Sequence, residues 1–461
     1  MDLLVIIRER SGGHISMIGG VGRRMEKRVM LFIFSVVFVL TSCTKQPQEP
    51  KETVTLSVLT WNEQTFNQKY GNLFLATHPN YDLNVISVME HLKPGEDINQ
   101  VVESLVTKEN PDLLSLQMDL FAVLKEQGRL ASFTDWIKKD KFDLTGYTPG
   151  VLDQMKDEQG HLYGLAPTFV GSALYYNKKL FETNNIPFPT DLMTWDDVFA
   201  VAQRFPNKAG SDTPQIGFYH PNSSNPFLMA LRIGDSSGLS LYNAQKFTLS
   251  TKAWEGVFQN VTECFKAQAC FDGSHADTSQ TTSIEVMQKR NHPFLGGNIA
   301  MAIDDSSLYR TLLTNKQRYP DLDWGIVSFP ISNEHPDMGN NIALNEVLSI
   351  PLHAKEPEGA WEFINYVCGA DYARMLPRVN PDELPARQSA GNEDDMLGSF
   401  YKLERVNNQM TNKLRELPRP VIAKMDEVSQ TYIPDILADK TTVSEALQMM
   451  EQELQLALAT R

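Results

Sequence analysis

The hydrophobic pattern of residues 54–119 predicts strands and helices in regular alternation. Residues 54–59, VTLSVL, alternate with a period of two, which is typical of a half-buried strand. A helix is predicted from about Phe66 to Thr77, since Pro79 stops it. The next predicted elements are a strand over 83–88, a helix over 97–107 and a buried strand over 111–116. This β-α-β-α-β order predicts a parallel sheet with right-handed crossovers.

Three later helices are predicted by the residues that cap them. Residues 194–197, TWDD, form a capping box with Asp in place of Glu. Pro357 marks the first turn of a helix that Gly369 can end. Residues 442–445, TVSE, cap the last helix. We expect all three helices to serve in packing.

A short apolar run near the N-terminus predicts a secretory leader. Residues 29–40 are apolar except for Ser35, and Lys27 and Arg28 precede them. A membrane-spanning helix needs about 20 apolar residues, so the run suits a signal peptide better. Residues 40–43, LTSC, resemble the bacterial lipobox, in which the chain is cut before a lipidated cysteine. We therefore expect residues 1–42 to be removed and Cys43 to carry the lipid, palmitate included. A plain signal peptide or a short membrane helix is the alternative.

Residues 1–24 and residues 43–52, on either side of the predicted leader's apolar core, are interpreted separately. Met25 would be a natural start, so we expect residues 1–24 to be an overcalled start. Residues 43–52 are rich in Gln, Pro, Glu and Lys and cannot bury a core. They predict a flexible, lipid-anchored tether.

Charge and cysteine content limit the class of protein. The chain has a formal net charge of −15, and its body is near −18 because the leader contributes about +3. Nucleic-acid binding is not expected, since phosphate contacts need clustered Lys and Arg. The length after Cys43 predicts two domains. Cys264 and Cys270 can pair only if the chain turns between them, and with Cys368 the alternative is free or buried thiols.

The sequence lacks the common local motifs for phosphate binding and metal binding. There is no GxxxxGK[ST], HExxH or CxxC. The acidic pairs at 196–197 and 304–305 are adjacent in sequence, which does not give the separation of a glycosidase dyad. We expect a binding protein without cofactor or metal, not an enzyme.

A series of short motifs, in order along residues 53–461, resembles the signature of family 1 extracellular solute-binding proteins. The motifs are GHLYGLAP at 160–167, LYYNKKLF at 174–181, TWDDVF at 194–199, FLGGNIAM at 294–301, WGI at 324–326, AWEF at 360–363 and LPAR at 384–387. Each is weak alone, but the ordered set after a lipobox is specific.

The resemblance implies an α/β, two-lobed, periplasmic-binding-protein-like fold whose parallel-sheet domains are linked by a hinge. Lobe one would comprise 53–166 plus 302–342, and lobe two 168–301 plus 343–461. The loaded protein, a lipid-anchored monomer on the extracytoplasmic side of the cell membrane, would dock on an ABC permease. Most characterised members of the family bind sugars or oligosaccharides.

The first candidate site residues follow the predicted strands, because ligands of such sheets bind beyond the carboxyl ends of strands. A sugar site needs an aromatic face together with carboxylates or amides. Trp61, Asn62 and Glu63 offer these three chemistries after the first strand, although Trp61 could instead pack in the core. Gln117 and Asp119 follow the third strand, and Asp119 could instead cap a helix.

Four further candidates depend on the resemblance. Asp304 follows the FLGGNIAM strand at an expected hinge, and Glu346 lies at the next crossover, where a surface position is the alternative. Asn225 and Phe227 lie where the family often places ligand contacts of lobe two.

The chain also departs from its sugar-binding relatives. No tryptophan follows Met301 before Trp324, and residues 418–425 contain no aromatic side chain. Fewer stacking platforms favour a short, polar or charged ligand. The leading hypothesis is the carbohydrate-binding component of an ABC importer. The alternatives are a binding protein for a non-sugar polar solute, a lipoprotein that presents ligand to a sensor or partner, and a surface carbohydrate-active enzyme.

Overall fold

The computed structural model describes most of the chain beyond the predicted tether. The described residues are 52–206, 214–243, 245–273, 283–380, 382–388, 395–407, 414 and 417–459. The predicted leader and Cys43 lie outside them. Within these ranges, every helix is too short or too polar to cross a bilayer.

Strands and helices alternate along the described residues. The strands are β1 (Val54–Thr60), β2 (Tyr81–Ser87), β3 (Leu113–Leu116), β4 (Thr168–Asn177), β5 (Ile216–Tyr219), β6 (Tyr242–Asn243), β7 (Lys246–Phe247), β8 (Ile299–Asp305), β9 (Trp324–Val327), β10 (Met338–Gly339), β11 (Ile342–Ala343), β12 (Val347–Ser349), β13 (Leu384–Pro385) and β14 (Arg405–Val406). The α-helices are Glu63–Phe66, Asn72–Thr77, Val88–His91, Ile98–Glu109, Met118–Glu126, Thr134–Asp140, Pro149–Asp153, Lys178–Thr183, Trp195–Ala202, Pro226–Ser236, Lys252–Lys266, Ile284–Asn291, Ser306–Thr314, Pro357–Val367, Ala370–Val379, Asp395–Gly398, Arg419–Leu437 and Val443–Ala459.

The N-terminal strands form a four-stranded sheet in the order β12-β3-β1-β2. β1 pairs in parallel with β2 along its whole length and with β3 at its carboxyl end, which confirms the predicted parallel order. β12 joins this sheet antiparallel to β3. The helix predicted over 66–77 is interrupted by a π-helical turn, Asn67–Gly71. The helix predicted over 97–107 runs from Ile98 to Glu109, with Asp97 as its cap.

β4 is the strand around which the second, six-stranded sheet is built. Its main order is β11-β4-β8-β5, and β9 and β13 also pair with β4. β8 runs antiparallel to β4 and parallel to β5. The carboxyl ends of β5 and β8 therefore lie at one edge. The first half of β4 reaches the same edge, because Ser172 pairs with Asp305.

Two hydrophobic cores hold these sheets. The first surrounds the four-stranded sheet with residues such as Leu56 and Phe363, and it extends to Ala302 on one face of the second sheet. The second core covers the opposite face of that sheet and includes Met301 and Ile303. Met301, Ala302 and Ile303 of β8 therefore alternate between the two cores, as the period of two of a strand requires.

The described chain passes between the two sheets at three places. Leu165 bridges to Leu348 in the first sheet, and β4 then begins in the second sheet. The chain returns over residues 344–346, between β11 and β12. It crosses again between the helix Ala370–Val379 and β13, where residues 380, 382 and 383 are described. We call these segments the first, second and third crossings.

Several elements lie in a different sheet or core from the one that the predicted lobe boundaries imply. β12 and the helix Pro357–Val367 lie with the first sheet, although residues after 342 were expected in lobe two. β9 lies in the second sheet, although residues 302–342 were expected in lobe one. The physical reason is strand pairing, since β12 extends the first sheet beyond β3 and β9 pairs with β4. The boundaries as a whole remain a prediction.

A disulfide joins Cys264 to Cys270, a pairing that the sequence left open. The chain turns at Ala267 and Gln268 after the helix Lys252–Lys266, which brings the two Cα atoms to 5.3 Å. Cys270 then bridges to Phe218 of β5. The disulfide therefore ties the end of this helix to the second sheet, whereas Cys368 is a buried free thiol.

Candidate ligand-binding cleft

Trp61 lies immediately after β1, at the carboxyl edge of the first sheet. Its indole is partly buried and packs against the first core. Its carbonyl accepts hydrogen bonds from Ser87 Oγ at 3.3 Å and from the Met89 amide at 3.1 Å. These bonds tie Trp61 to the end of β2, so part of the indole stays exposed at the edge in a fixed loop.

Asn62 and Glu63 begin the helix that follows β1. Asn62 Oδ1 accepts a hydrogen bond from the Thr65 amide at 2.9 Å, so Asn62 acts as the helix cap. Glu63 is exposed in the first turn. Its carboxylate is therefore available at the edge next to Trp61.

Gln117 and Asp119 follow β3 at the same edge. Both are exposed. The cap position of the helix Met118–Glu126 is taken by Gln117, whose side chain makes no capping bond, and Asp119 lies in the first turn. The alternative of Asp119 as the cap residue is thus not observed.

Glu346 is brought beside Gln117 by the pairing of Val347 with Leu116. Its carboxylate accepts hydrogen bonds from Lys69 Nζ at 3.1 Å and from Tyr70 Oη at 2.8 Å. Only 13% of its side chain is exposed, so the alternative of a surface position does not hold. Glu346 is already engaged in a network at the second crossing.

In the second sheet, Asp304 near the end of β8 is paired with His292. His292 Nδ1 lies 2.9 and 3.0 Å from the two carboxylate oxygens, and the side chains are 13% and 8% exposed. Burial raises the pKa of Asp304, although His292 opposes the effect. Burial alone would lower the pKa of His292, but the hydrogen bond and charge of Asp304 outweigh it and raise that pKa.

Tyr219 and Phe271 lie at this edge and were missed by the sequence analysis. Tyr219 ends β5, and its ring meets that of Phe271 edge to face, with centroids 5.5 Å apart. Burial and the negative charges of Asp304 and Asp305 raise the pKa of the Tyr219 hydroxyl. Both rings are partly exposed. A signal was present, because Tyr219 follows an apolar segment, but its strand was not among the predicted elements.

Asn225 and Phe227 have local roles in the described structure. Asn225 Oδ1 caps the helix Pro226–Ser236 by accepting a hydrogen bond from the Leu228 amide at 3.1 Å. Phe227 is 4% exposed and packs in the second core, with its ring 5.7 Å from that of Phe258. A ligand could reach Phe227 only if this core opened, so we leave Phe227 out of the proposed site.

Potential ligand atoms of His292, Asp304 and Asp305 lie within 4.8 Å of one another, a grouping that could hold a metal ion. Their present partners are internal. Asp304 is bonded to His292, and Asp305 caps the helix Ser306–Thr314 through the Ser307 amide at 2.9 Å. The arrangement is explained by an ion pair and a helix cap.

A cavity of about 650 Å³ lies close to the carboxyl edge of the first sheet. Its lining includes His91, which follows β2, Gln100, and Arg419 at the start of the helix Arg419–Leu437. That helix packs in the second core through residues such as Val421. The cavity therefore lies between elements of the two lobes.

Solved structures with this arrangement of lobes are numerous. The sugar-binding protein MalE from Xanthomonas citri has a TM-score of 0.64 at 17% identity, and the match covers 88% of this chain and 98% of that chain. A sugar transporter from Rhizobium etli in an open conformation has a TM-score of 0.62 at 19% identity, covering 87% and 99%. A solute-binding protein from Agrobacterium vitis with bound D-mannitol has a TM-score of 0.56 at 18% identity, covering 87% and 97%. These similarities show a two-lobed, hinge-linked α/β fold of the periplasmic-binding-protein type.

The sequence itself defines the family. The profile of the bacterial extracellular solute-binding proteins matches residues 60–374, which is more than half of the chain. The protein belongs to this family, and the expected resemblance is confirmed. Its class is therefore that of an extracytoplasmic solute-binding protein of ABC transport.

Proposed function

We propose that this protein is the lipid-anchored binding component of an ABC importer and that it captures a sugar or polyol between its lobes. The observation that carries the proposal is the chemistry of the two edges. Trp61 and Glu63 lie at the edge of the first sheet, and Tyr219, Phe271 and Asp304 lie at that of the second. The mannitol complex of the Agrobacterium vitis protein supports the ligand class.

The physical argument concerns how a sugar or polyol is held. Its C–H surfaces pack on aromatic rings, and its hydroxyls donate to carboxylates and amides. Trp61 and Tyr219 provide rings on different lobes, and Glu63 provides an exposed acceptor. Closure of the lobes would then exclude water from both sets of contacts, which makes each hydrogen bond stronger.

Binding is tested by thermal shift and calorimetry on the chain 44–461 with a panel of sugars and polyols that includes maltose, mannitol and ribitol. A ligand at 100 times its dissociation constant should stabilise the protein by about 2.7 kcal/mol. Tyr219→Ala should weaken binding at least tenfold. Tyr176→Ala is the matched control, because this partly buried tyrosine lies at the other end of the same sheet. A shift with another solute class and none with this panel would contradict the proposed ligand.

Anchoring is tested separately with Cys43→Ala in cells. The variant lacks the acceptor thiol, so it should carry no lipid and should keep its leader or be misprocessed. Mass spectrometry of the membrane fraction measures both. An acylated, membrane-held variant would show that the lipobox interpretation is wrong.

Delivery to a permease is tested by uptake of the identified solute. Cells that lack this protein should lose high-affinity uptake and regain it with the parent chain. Normal uptake together with a lost response to the solute would favour the alternative, a lipoprotein that presents ligand to a sensor.

A further inference from the structure

One largely buried carboxylate, that of Glu383, accepts hydrogen bonds from four donors. They are Thr168 Oγ1 at 2.5 Å, Asn380 Nδ2 at 2.8 Å, Asn345 Nδ2 at 3.0 Å and Lys69 Nζ at 3.3 Å. Only 10% of the Glu383 side chain is exposed. Four donors on one carboxylate are enough to fix its position, since the group has about four acceptor sites.

Three of these donors come from the three crossings between the sheets. Thr168 begins β4 at the end of the first crossing, Asn345 lies in the second, and Asn380 opens the third. Glu383 itself directly precedes β13, which pairs with β4. A single side chain therefore connects the three crossings of the described chain.

Lys69 connects the Glu383 carboxylate to lobe one. It lies in the π-helical turn after β1, next to Tyr70 of the first core. Its ammonium group bonds both Glu383 and Glu346, and Glu346 lies on the second crossing. π-helical turns are frequent at functional sites. Here the turn places the lysine between two hinge carboxylates.

Lys69 is the one cation that the two carboxylates share, so the three side chains carry a net charge of −1. Burial alone would lower the pKa of Lys69, but the two carboxylates outweigh it and raise that pKa. Burial would raise the pKa of Glu383, but Lys69 and the other donors outweigh it and lower that pKa. Removal of Lys69 would leave two largely buried carboxylates without their shared cation, which is strongly unfavourable.

We propose that Lys69 and Glu383 are positioning residues that fix the pivot of the hinge. They need not touch the solute. By holding the three crossings together, they limit the orientations that the lobes adopt in the free protein. The proposal rests on the two-lobed fold and is independent of the identity of the ligand.

The consequence for binding follows from populations. The apparent dissociation constant equals the intrinsic one divided by the fraction of molecules that can bind. If Lys69→Met leaves about a tenth of the molecules in a competent orientation, affinity falls about tenfold. The loss should appear in the association rate, because the contacts of the bound state are unchanged.

The direct test measures the distance between the lobes without ligand. A chain starting at residue 44 keeps the whole compact unit Val54–Arg461. Nitroxide labels are attached at Lys138→Cys in lobe one and Gln448→Cys in lobe two, both exposed helical positions. The native cysteines do not compete, since two form the disulfide and Cys368 is buried, which raises the pKa of its thiol to about 12.

Pulsed electron-electron double resonance on this labelled protein decides the proposal. Lys69→Met should broaden the distance distribution. Lys69→Arg should leave the distribution nearly as narrow as that of the parent, because it keeps the charge. The control Lys252→Met removes an exposed ion pair with Glu255 and should leave the width unchanged. Glu383→Gln serves as a second variant and should broaden the distribution as well.

A Lys69→Met or Glu383→Gln protein that melts cooperatively and keeps the parent's narrow distribution would overturn the proposal. Equal broadening in the Lys252→Met control would overturn it too. Failure of the sugar panel would leave this result untouched, because no ligand enters the measurement.

Discussion

Replacing His292 with Gln should destabilise lobe two, and the loss should depend on pH in a defined direction. In the parent protein His292 and Asp304 form an ion pair whose side chains are 13% and 8% exposed. Solvent therefore screens the pair weakly. Removing one partner of such a buried pair costs about 3–5 kcal/mol. Gln can still donate one hydrogen bond, so we expect a cost near the lower end, about 3 kcal/mol at pH 6.

The sign of the pH dependence follows from the raised pKa of His292. A histidine whose pKa is higher in the folded state stabilises fully below its unfolded pKa, about 6.5. That contribution is lost as the pH rises through the folded pKa. Burial raises the pKa of Asp304 as well, so its contribution also falls with rising pH. The parent should therefore lose more stability than the variant between pH 6 and pH 9.

Urea unfolding at pH 6 and pH 9, followed by circular dichroism, measures the loss of stability and its dependence on pH. His161→Gln is the matched control, because His161 Nδ1 lies 3.0 Å from Asp157 but its side chain is 49% exposed. An exposed pair contributes about 0–1 kcal/mol, so this variant should change little. Equal losses in the two variants, or a His292→Gln protein with the pH dependence of the parent, would refute the reasoning.

Three further predictions concern other parts of the molecule. Trp61→Ala should weaken ligand binding at least tenfold, and it should lower the free energy of unfolding by less than a core Trp→Ala change, which costs about 3–5 kcal/mol. Titration and melting of the same variant measure the two effects. Normal binding with a large loss of stability would place the indole in the core. Replacing Cys264 and Cys270 together by Ser should cost about 2 kcal/mol, and a reductant should lower the urea midpoint of the parent but not of the variant. Gly217→Ala should destabilise strongly, because its Cβ would clash with the backbone oxygen of Ala202. The control Gly256→Ala lies in a helix, meets no atom within 4 Å and should stabilise by about 0.5–1 kcal/mol; comparable urea midpoints for the two variants would contradict this.

The local sequence pattern was sufficient to predict those strands and helices whose stabilising contacts are close in sequence. The alternation of residues 54–59 predicted β1, and the capping box at Thr194 predicted the helix Trp195–Ala202. In that box the Asp197 amide donates to Thr194 Oγ1 at 3.1 Å, and the Thr194 amide donates to Asp197 Oδ2 at 2.9 Å. Such elements are specified by hydrogen bonds and side-chain spacing within a few residues, so they can be read without the rest of the chain.

The candidate site was predicted in part. Trp61, Glu63, Gln117 and Asp119 lie at the carboxyl edge of the first sheet because they directly follow strands of a parallel order that the sequence predicted. Tyr219 could not be placed in this way. It reaches the second edge only because β5 pairs with β8, a strand some 80 residues later.

The sequence by itself determined the class of protein, the parallel first sheet and the side chains that follow its strands. Only the tertiary structure decided that β12 extends the first sheet, that Cys264 and Cys270 pair, and that Glu383 joins three crossings to Lys69. The physical reason is distance along the chain. Helix caps and strand periodicity depend on neighbouring residues, whereas the Lys69–Glu383 bond joins residues 314 positions apart and exists only once both lobes have folded.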